Sequence, residues 1–346
     1  MIVRRIFAFV SAFLFLGAYC QQVNAADSFD SKEVVVVSSL DSTALRGTLT
    51  VPAQGVKAAL LFQSGSGIQD RDEEILGHRP FKALAEYLSS EGYAVLRLDD
   101  RGYGNEIDAT DELTFINSDF VADATSALSY LRENVAGVPI GVLGHSEGGT
   151  TAMKLAADSL CDFLVTLAAP AWPGDSMIMA QCRVAAVMTM GSWPGETLQR
   201  QILDVAKGNL PKMQKELVLY SLISTAAGES ASLPQVQQAI KQQIEILVSP
   251  WYVDMLRYDP RETISRINVP WLALNGDTDR QVLFGNLATI SEFNPKAEPV
   301  VMKNHNHLFL ETSNGLPYEY ASLVGDISDQ TLTTILNWLE KTIPNR

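Results

Sequence analysis

Residues 139–150 read PIGVLGHSEGGT. The apolar run Ile140–Leu143 has the signature of a buried strand. It stops at Gly144-His145-Ser146-Glu147-Gly148, and a small-residue, helix-compatible run follows from Gly149 through Ala157. Strand, G-x-S-x-G and helix together are the setting in which a serine sits on a strained turn with its hydroxyl lifted clear of a sheet. Gly144 and Gly148 flank Ser146 because a Cβ at either place would crowd that turn. The Glu147 amide opens the helix and points into the same space, which makes half of an anion site. The plain alternative is a glycine-rich turn between a strand and a helix.

Working outward, the segment before this turn is rich in strands. Val34–Val37 and Leu45–Val51 are strand-like, with a turn at Leu40-Asp41-Ser42, and predict an antiparallel hairpin. Ala58–Phe62 is a third strand, ending in Gln63-Ser64-Gly65-Ser66-Gly67. Phe81, Leu84, Ala85 and Leu88 share one face of a helix that Gly92 ends. Tyr93–Leu98 is the next strand, and a helix over 119–134 leads into the serine turn. Beyond it Phe163–Leu167, Val269–Leu274 and Glu298–Met302 read as strands, with helices over 282–293 and at the C-terminus. Alternation of strand and helix from Tyr93 onward predicts a mostly parallel sheet with helices on both faces. Between 172 and 267 the rhythm breaks into helical runs separated by Pro and Gly. The expected organisation is therefore a core over 26–171 and 268–346, interrupted by a helical cap over 172–267. The cap is rich in soft and aromatic side chains: Met177, Met179, Met188, Met190, Trp193, Trp251, Tyr252 and Met255. Most are expected to pack the cap on itself and the core, and a few to line an apolar pocket above Ser146.

Residues 1–25 read as a cleavable signal peptide: Arg4 and Arg5, the apolar stretch Ile6–Ala18, then small residues up to Ala25. That predicts a periplasmic or secreted protein with no stable membrane insertion once the signal is removed. The whole chain carries a net charge of −14, and −16 without the two N-terminal arginines. Such a balance argues against nucleic acid and anionic membrane as partners. Of the three cysteines, Cys161 and Cys182 lie outside the signal. An oxidising compartment would permit them to pair, while their apolar surroundings suggest free buried thiols.

Ser146 needs a base, because a serine hydroxyl is a weak nucleophile at neutral pH. The chain offers four histidines, His78, His145, His305 and His307. His145 adjoins the serine and its side chain should point away, and His78 lies in a polar loop. His305 and His307 follow the last strand, where this chain order puts a base; His307, anchored by Leu308 and Phe309, is favoured and His305 is the alternative. A carboxylate must then orient the imidazole. Asp277 and Asp279 both stand at the C-terminal end of a strand, with Asp279 favoured. For the oxyanion the donors are the Glu147 amide and one from Ser64-Gly65-Ser66-Gly67, first that of Ser66, next that of Gly67. No metal-ligand spacing is evident, and no metal or organic cofactor is implied.

Several pieces now match a known family. GSGIQDRDE at 65–73, PFKALAEYLSSEGYAVLRLDDRGYG at 80–104, GHSEGG at 144–149, VPWLALNGDTDRQV at 269–282 and NHLF at 306–309 resemble the α/β-hydrolase superfamily. The chain is most similar to bacterial secreted esterases related to dienelactone hydrolases and to the catalytic domains of prolyl oligopeptidases. The resemblance covers the core and is weak in the cap. It implies an α/β-hydrolase fold with Ser146 as nucleophile, Asp279 as acid, His307 as base and Ser66 at the oxyanion. It also places Arg71, Asp72, Asp100 and Arg101 in a structural polar network beside the site. Asn304-His305 departs from the family pattern, where small or apolar residues are usual.

The expected function is a serine hydrolase that cleaves small-molecule carboxylic esters of small or medium acyl group through an acyl-enzyme. A peptidase or amidase keeps the chemistry and changes the bond, yet nothing here resembles an oligopeptidase propeller, and the cap shows no obvious carboxylate pair for an N-terminal amine. A thioesterase fits poorly outside the cytoplasm. A non-catalytic binding protein of the same fold is disfavoured because serine, acid, base and oxyanion loop all occur in order.

Overall fold

The computed structural model describes residues 28–104 and 113–343. The signal-peptide reading over 1–25 lies outside them.

Eight strands form one sheet: β1 (Phe29–Val37), β2 (Ala44–Pro52), β3 (Ala58–Gln63), β4 (Tyr93–Leu98), β5 (Ile140–His145), β6 (Phe163–Leu167), β7 (Trp271–Gly276) and β8 (Glu298–Met302). Their spatial order is β1-β2-β4-β3-β5-β6-β7-β8. The first two pairings, β1 with β2 and β2 with β4, are antiparallel, and all later ones are parallel. Parallel strands are covered on both faces and so are apolar throughout; β5 and β6 are buried at every position. Successive residues still divide between two cores. Leu61, Leu96, Val142 and Leu164 face one side. Leu60, Val95, Leu143 and Val165 face the other.

Helices α1 (Pro80–Ser90), α2 (Asn117–Asn134) and α3 (Glu147–Ala157) alternate with the early strands. The break in rhythm after residue 172 becomes α4 (Gly174–Met190), α5 (Glu196–Lys207), α6 (Lys212–Ala227), α7 (Pro234–Leu247), α8 (Pro250–Arg257) and α9 (Arg261–Arg266). α10 (Asn286–Phe293) and α11 (Asp329–Thr342) complete the set of α-helices among the described residues. The helices over 174–257 gather a small core of their own from Met179, Ile202, Leu203, Leu219, Ile244 and Leu256. They meet the rest of the fold at a few fixed points. Trp251 N–H donates to the Leu113 carbonyl at 3.1 Å, and Gln181 Nε2 to that of Gln281 at 2.8 Å. A side chain on Gly174 would lie 1.9 Å from the Met255 carbonyl oxygen, so α4 and α8 approach this closely only through glycine. Cys161 is buried, Cys182 half-buried, and both are free thiols.

The ends of the strands nearest Ser146 are braced by ion pairs. Arg71 binds Asp99 through Nε and Nη2 at 2.9 and 2.8 Å and reaches Glu33 in β1. Arg97 pairs with Asp72. Arg101 is bidentate to Asp123 in α2, at 2.8 and 2.7 Å, and touches Asp41 of the hairpin at 3.1 Å. Asp100 accepts from the Ser64 hydroxyl and the Gln69 amide. Removing one partner of a buried pair strands the other charge and costs about 3–5 kcal/mol. Arg101→Met should therefore destabilise the fold by about that much in denaturant titrations; a loss below about 1 kcal/mol, the range of exposed pairs, would show that Asp123 is not held as described.

Candidate active site

β5 ends at His145 and α3 begins at Glu147, so a single residue makes the turn between them. Ser146 takes φ 52° and ψ −123°, a conformation that costs a non-glycine residue roughly 1–3 kcal/mol and persists only where the surroundings impose it. Its N–H donates to the Leu167 carbonyl of β6 at 2.9 Å, and its own carbonyl accepts from Gly149 at 2.9 Å. The flanking glycines are required by contact. A Cβ on Gly144 would lie 2.3 Å from the Gly148 carbonyl oxygen, and one on Gly148 would lie 2.2 Å from that of Gln63.

Three chain segments then converge. His307 Nε2 lies 3.0 Å from Ser146 Oγ. His307 Nδ1 lies 2.8 Å from Asp279 Oδ2. Asp279 is held from four directions: Oδ1 accepts from the Gln281 and Val282 amides at 2.8 and 3.0 Å, and Oδ2 accepts from His307 and from Asn275 Nδ2 at 3.3 Å. The loop carrying His307 is clamped by the buried Asn306, whose Oδ1 accepts from the Leu308 and Leu310 amides, each at 3.0 Å. This loop crosses above Gly276, where a Cβ would lie 2.0 Å from the His305 carbonyl oxygen.

The two sequence alternatives face elsewhere. His305 bridges the Lys303 carbonyl and the Ser328 hydroxyl at 2.7 and 2.6 Å. Asp277 accepts from the Asn304 amide at 2.6 Å and pairs with Lys303. His78 spans the Gly325 and Tyr320 carbonyls. His145 points away from the pocket, as its alternation along β5 requires, and meets Glu73 and the His307 carbonyl below it.

The oxyanion side is built from two loops. As the first residue of α3, Glu147 has an N–H with no carbonyl one turn earlier to bond. In the opposite loop the Gly65 N–H is committed to Glu73 Oε1 at 2.6 Å. The Ser66 hydroxyl and the Trp251 indole both donate to the Glu147 carboxylate. Burial pushes that carboxyl above its ordinary range, against the pull of those hydrogen bonds.

Ser146 opens into a cleft whose empty space, open solvent included, is about 950 Å³. Trp172, Met177, Ile178, Trp251, Tyr252 and Met255 give it apolar walls. Of the soft and aromatic cap residues, of which a few were expected over the serine, Met177, Trp251, Tyr252 and Met255 line this space; Met179 and Trp193 pack among the cap helices, and Met188 and Met190 are exposed. Asp254 of α8 adds a second carboxylate to the wall that holds Glu147. No local pattern places it there, because α8 reaches the pocket only through the packing of the cap.

A family model described as "Serine aminopeptidase, S33" matches residues 78–286. The chain belongs to that family, and it is an α/β hydrolase. Esterase EstD of Thermotoga maritima is 26% identical to it over 320 residues, 91% of this chain and 68% of its own length. A solved esterase structure from Pyrococcus furiosus superposes with a TM-score of 0.57 at 14% identity, covering 95% of this chain and 96% of that one. The dienelactone hydrolase of Anabaena variabilis gives 0.51 at 15% identity, with 91% and 99% covered. At such identities the structures speak for the fold.

In this α/β hydrolase, Asp279→Asn would turn an amide toward His307 Nδ1 and favour the wrong tautomer. The expected result is a kcat lower by about 10⁴-fold, with the overall structure kept. Gly148→Ala should push the Gln63–Ser64 backbone aside and abolish reaction at Ser146 while β5 and α3 remain. Turnover by either variant near the wild-type rate, measured with a chromogenic ester, would contradict the geometry.

Proposed function

We propose that the chain is a carboxylesterase-type serine hydrolase for esters of small to medium acyl groups. The supporting observation is the unbroken line of contacts from Ser146 Oγ through His307 to Asp279, at the foot of an apolar cavity. On this reading His307 takes the Ser146 proton as the hydroxyl attacks the ester carbonyl. The developing oxyanion is received by the amides of Glu147 and Ser66. Collapse expels the alcohol, protonated by His307, and leaves an acyl-enzyme. Water activated by the same imidazole then releases the acid. Asp279 keeps the His307 Nδ1 protonated and the ring aligned throughout. The relative named an esterase supports this choice of bond. The signal-like residues 1–25 support action outside the cytoplasm.

One observation favours a second reading, an aminopeptidase: the carboxylates of Asp254 and Glu147 share a pocket wall. Burial works against it by drawing the Glu147 carboxyl toward its neutral form, and the indole and hydroxyl bonds already occupy its oxygens. A panel of p-nitrophenyl esters of rising chain length, run beside aminoacyl p-nitroanilides, decides between the two. Highest kcat/KM on the shorter esters is expected, and none with Ser146→Ala. An anilide turned over faster than every ester would make the chain an amide hydrolase instead.

A further inference from the structure

Beneath Ser146 and His307 lies a second acid–imidazole pair that the reaction above does not use. His145 is 4% exposed and Glu73 1%. His145 Nδ1 lies 2.8 Å from Glu73 Oε1. Its Nε2 lies 2.9 Å from the His307 carbonyl oxygen. A carbonyl oxygen only accepts, so Nε2 carries a proton. With Glu73 ionised, its Oε1 accepts both the Gly65 N–H at 2.6 Å and a proton-bearing Nδ1. An imidazole that donates from both nitrogens is an imidazolium. Burial opposes this charge, but the Glu73 carboxylate and its hydrogen bond, then the His307 carbonyl, outweigh it and hold His145 above its ordinary range. The pair is neutral as a whole, which suits its apolar surroundings of Phe81, Leu84, Leu167 and Phe309.

The contacts of this pair run to two separate parts of the site. One oxygen of Glu73 fixes Gly65, next to the amides assigned to the oxyanion. Through His145 the same oxygen fixes the backbone of His307, whose ring centroid is 4.7 Å from that of His145. Glu73 itself has φ 53°, a conformation that a glutamate keeps only when its contacts demand it.

We propose that Glu73 and His145 are a positioning pair that sets the oxyanion loop and the His307 backbone at one fixed separation about Ser146. The proposal rests on the serine-hydrolase reading. The charged and titratable groups facing His145 are Glu73 from the loop before α1, His307 from the loop after β8, and Asp279 from the loop after β7. Because His145 is held above its ordinary range, the charged brace is lost as pH rises through the folded-state value. Glu73→Gln keeps the shape and removes the charge, so the loss should begin at lower pH.

The test is the pH profile of ester hydrolysis by wild type, Glu73→Gln and His145→Gln, with imidazole ¹⁵N shifts of the wild-type protein. His145 signals are assigned by their absence from His145→Gln. Both His145 nitrogens are expected to be protonated at neutral pH. Each variant should lose roughly 10- to 100-fold in kcat with little change in KM, the size expected when reacting groups are misplaced by a fraction of an ångström to an ångström. In Glu73→Gln the alkaline limb should also move down by about one pH unit or more. A folded Glu73→Gln with wild-type kcat, or with a lower kcat and an unmoved alkaline limb, overturns the proposal. So does a neutral His145 in wild-type protein, a reading that stands even where a variant fails to fold. Wild-type protein that turns over no ester removes the hydrolase reading and with it the role of the pair, whereas an active enzyme with a neutral His145 removes the pair alone.

Discussion

A serine held with positive φ between a strand and a helix is the constraint on which the site depends. At Ser146 the chain has no room to relax. Its amide is tied to β6, its carbonyl to the first turn of α3, and backbone carbonyls stand where side chains on Gly144 or Gly148 would go. The strain is carried by a sheet buried on both faces, whose packing far outweighs a few kcal/mol at one residue. The result is a hydroxyl and a helix N-terminus aimed at the same point. A relaxed turn would separate them.

The other groups reach that point because strands β3, β5, β7 and β8 run parallel and end on one side. Loops from those ends meet by necessity. What distinguishes this chain is how tightly each loop is fixed. Asn306 clamps the histidine loop, the Gln281 and Val282 amides clamp the Asp279 carboxylate, and Glu73 clamps Gly65. Preorganisation of this kind lets the site meet a developing charge without rearranging. The cap helices supply the apolar walls and set what can enter.

Much of the sheet was legible because the central parallel strands are apolar end to end; Tyr93–Leu98 and Phe163–Leu167 come out with the bounds the sequence suggested, as does the more exposed edge strand Glu298–Met302. The first strand starts five residues before Val34, at Phe29, because only Val34 and Val36 of β1 are buried. Asp30–Glu33 pair through their backbones with β2 and carry no apolar signal. Helix α3 begins at Glu147, ahead of the small-residue run from Gly149, since the turn is completed by one serine. α10 begins at Asn286 after an expected start at 282, because the stretch after Asp279 is spent bonding its carboxylate. Ser146, His307 and Asp279 were readable from order and spacing. Glu73 was not: it lies 72 residues from His145, and no local pattern reports that the two meet. Asp254 was hidden for a related reason, since helical periodicity does not say which cap helix lies over the serine.

The central claim is that Ser146 carries the acyl group between two half-reactions. Acid quenching during turnover of p-nitrophenyl acetate, followed by mass spectrometry of the digested protein, tests this directly. A single acetyl group is expected, on the peptide containing Ser146, formed and lost at rates that match turnover. Sustained hydrolysis with the acetyl group on another residue, or with no acylated peptide while deacylation is measurably slow, would contradict it.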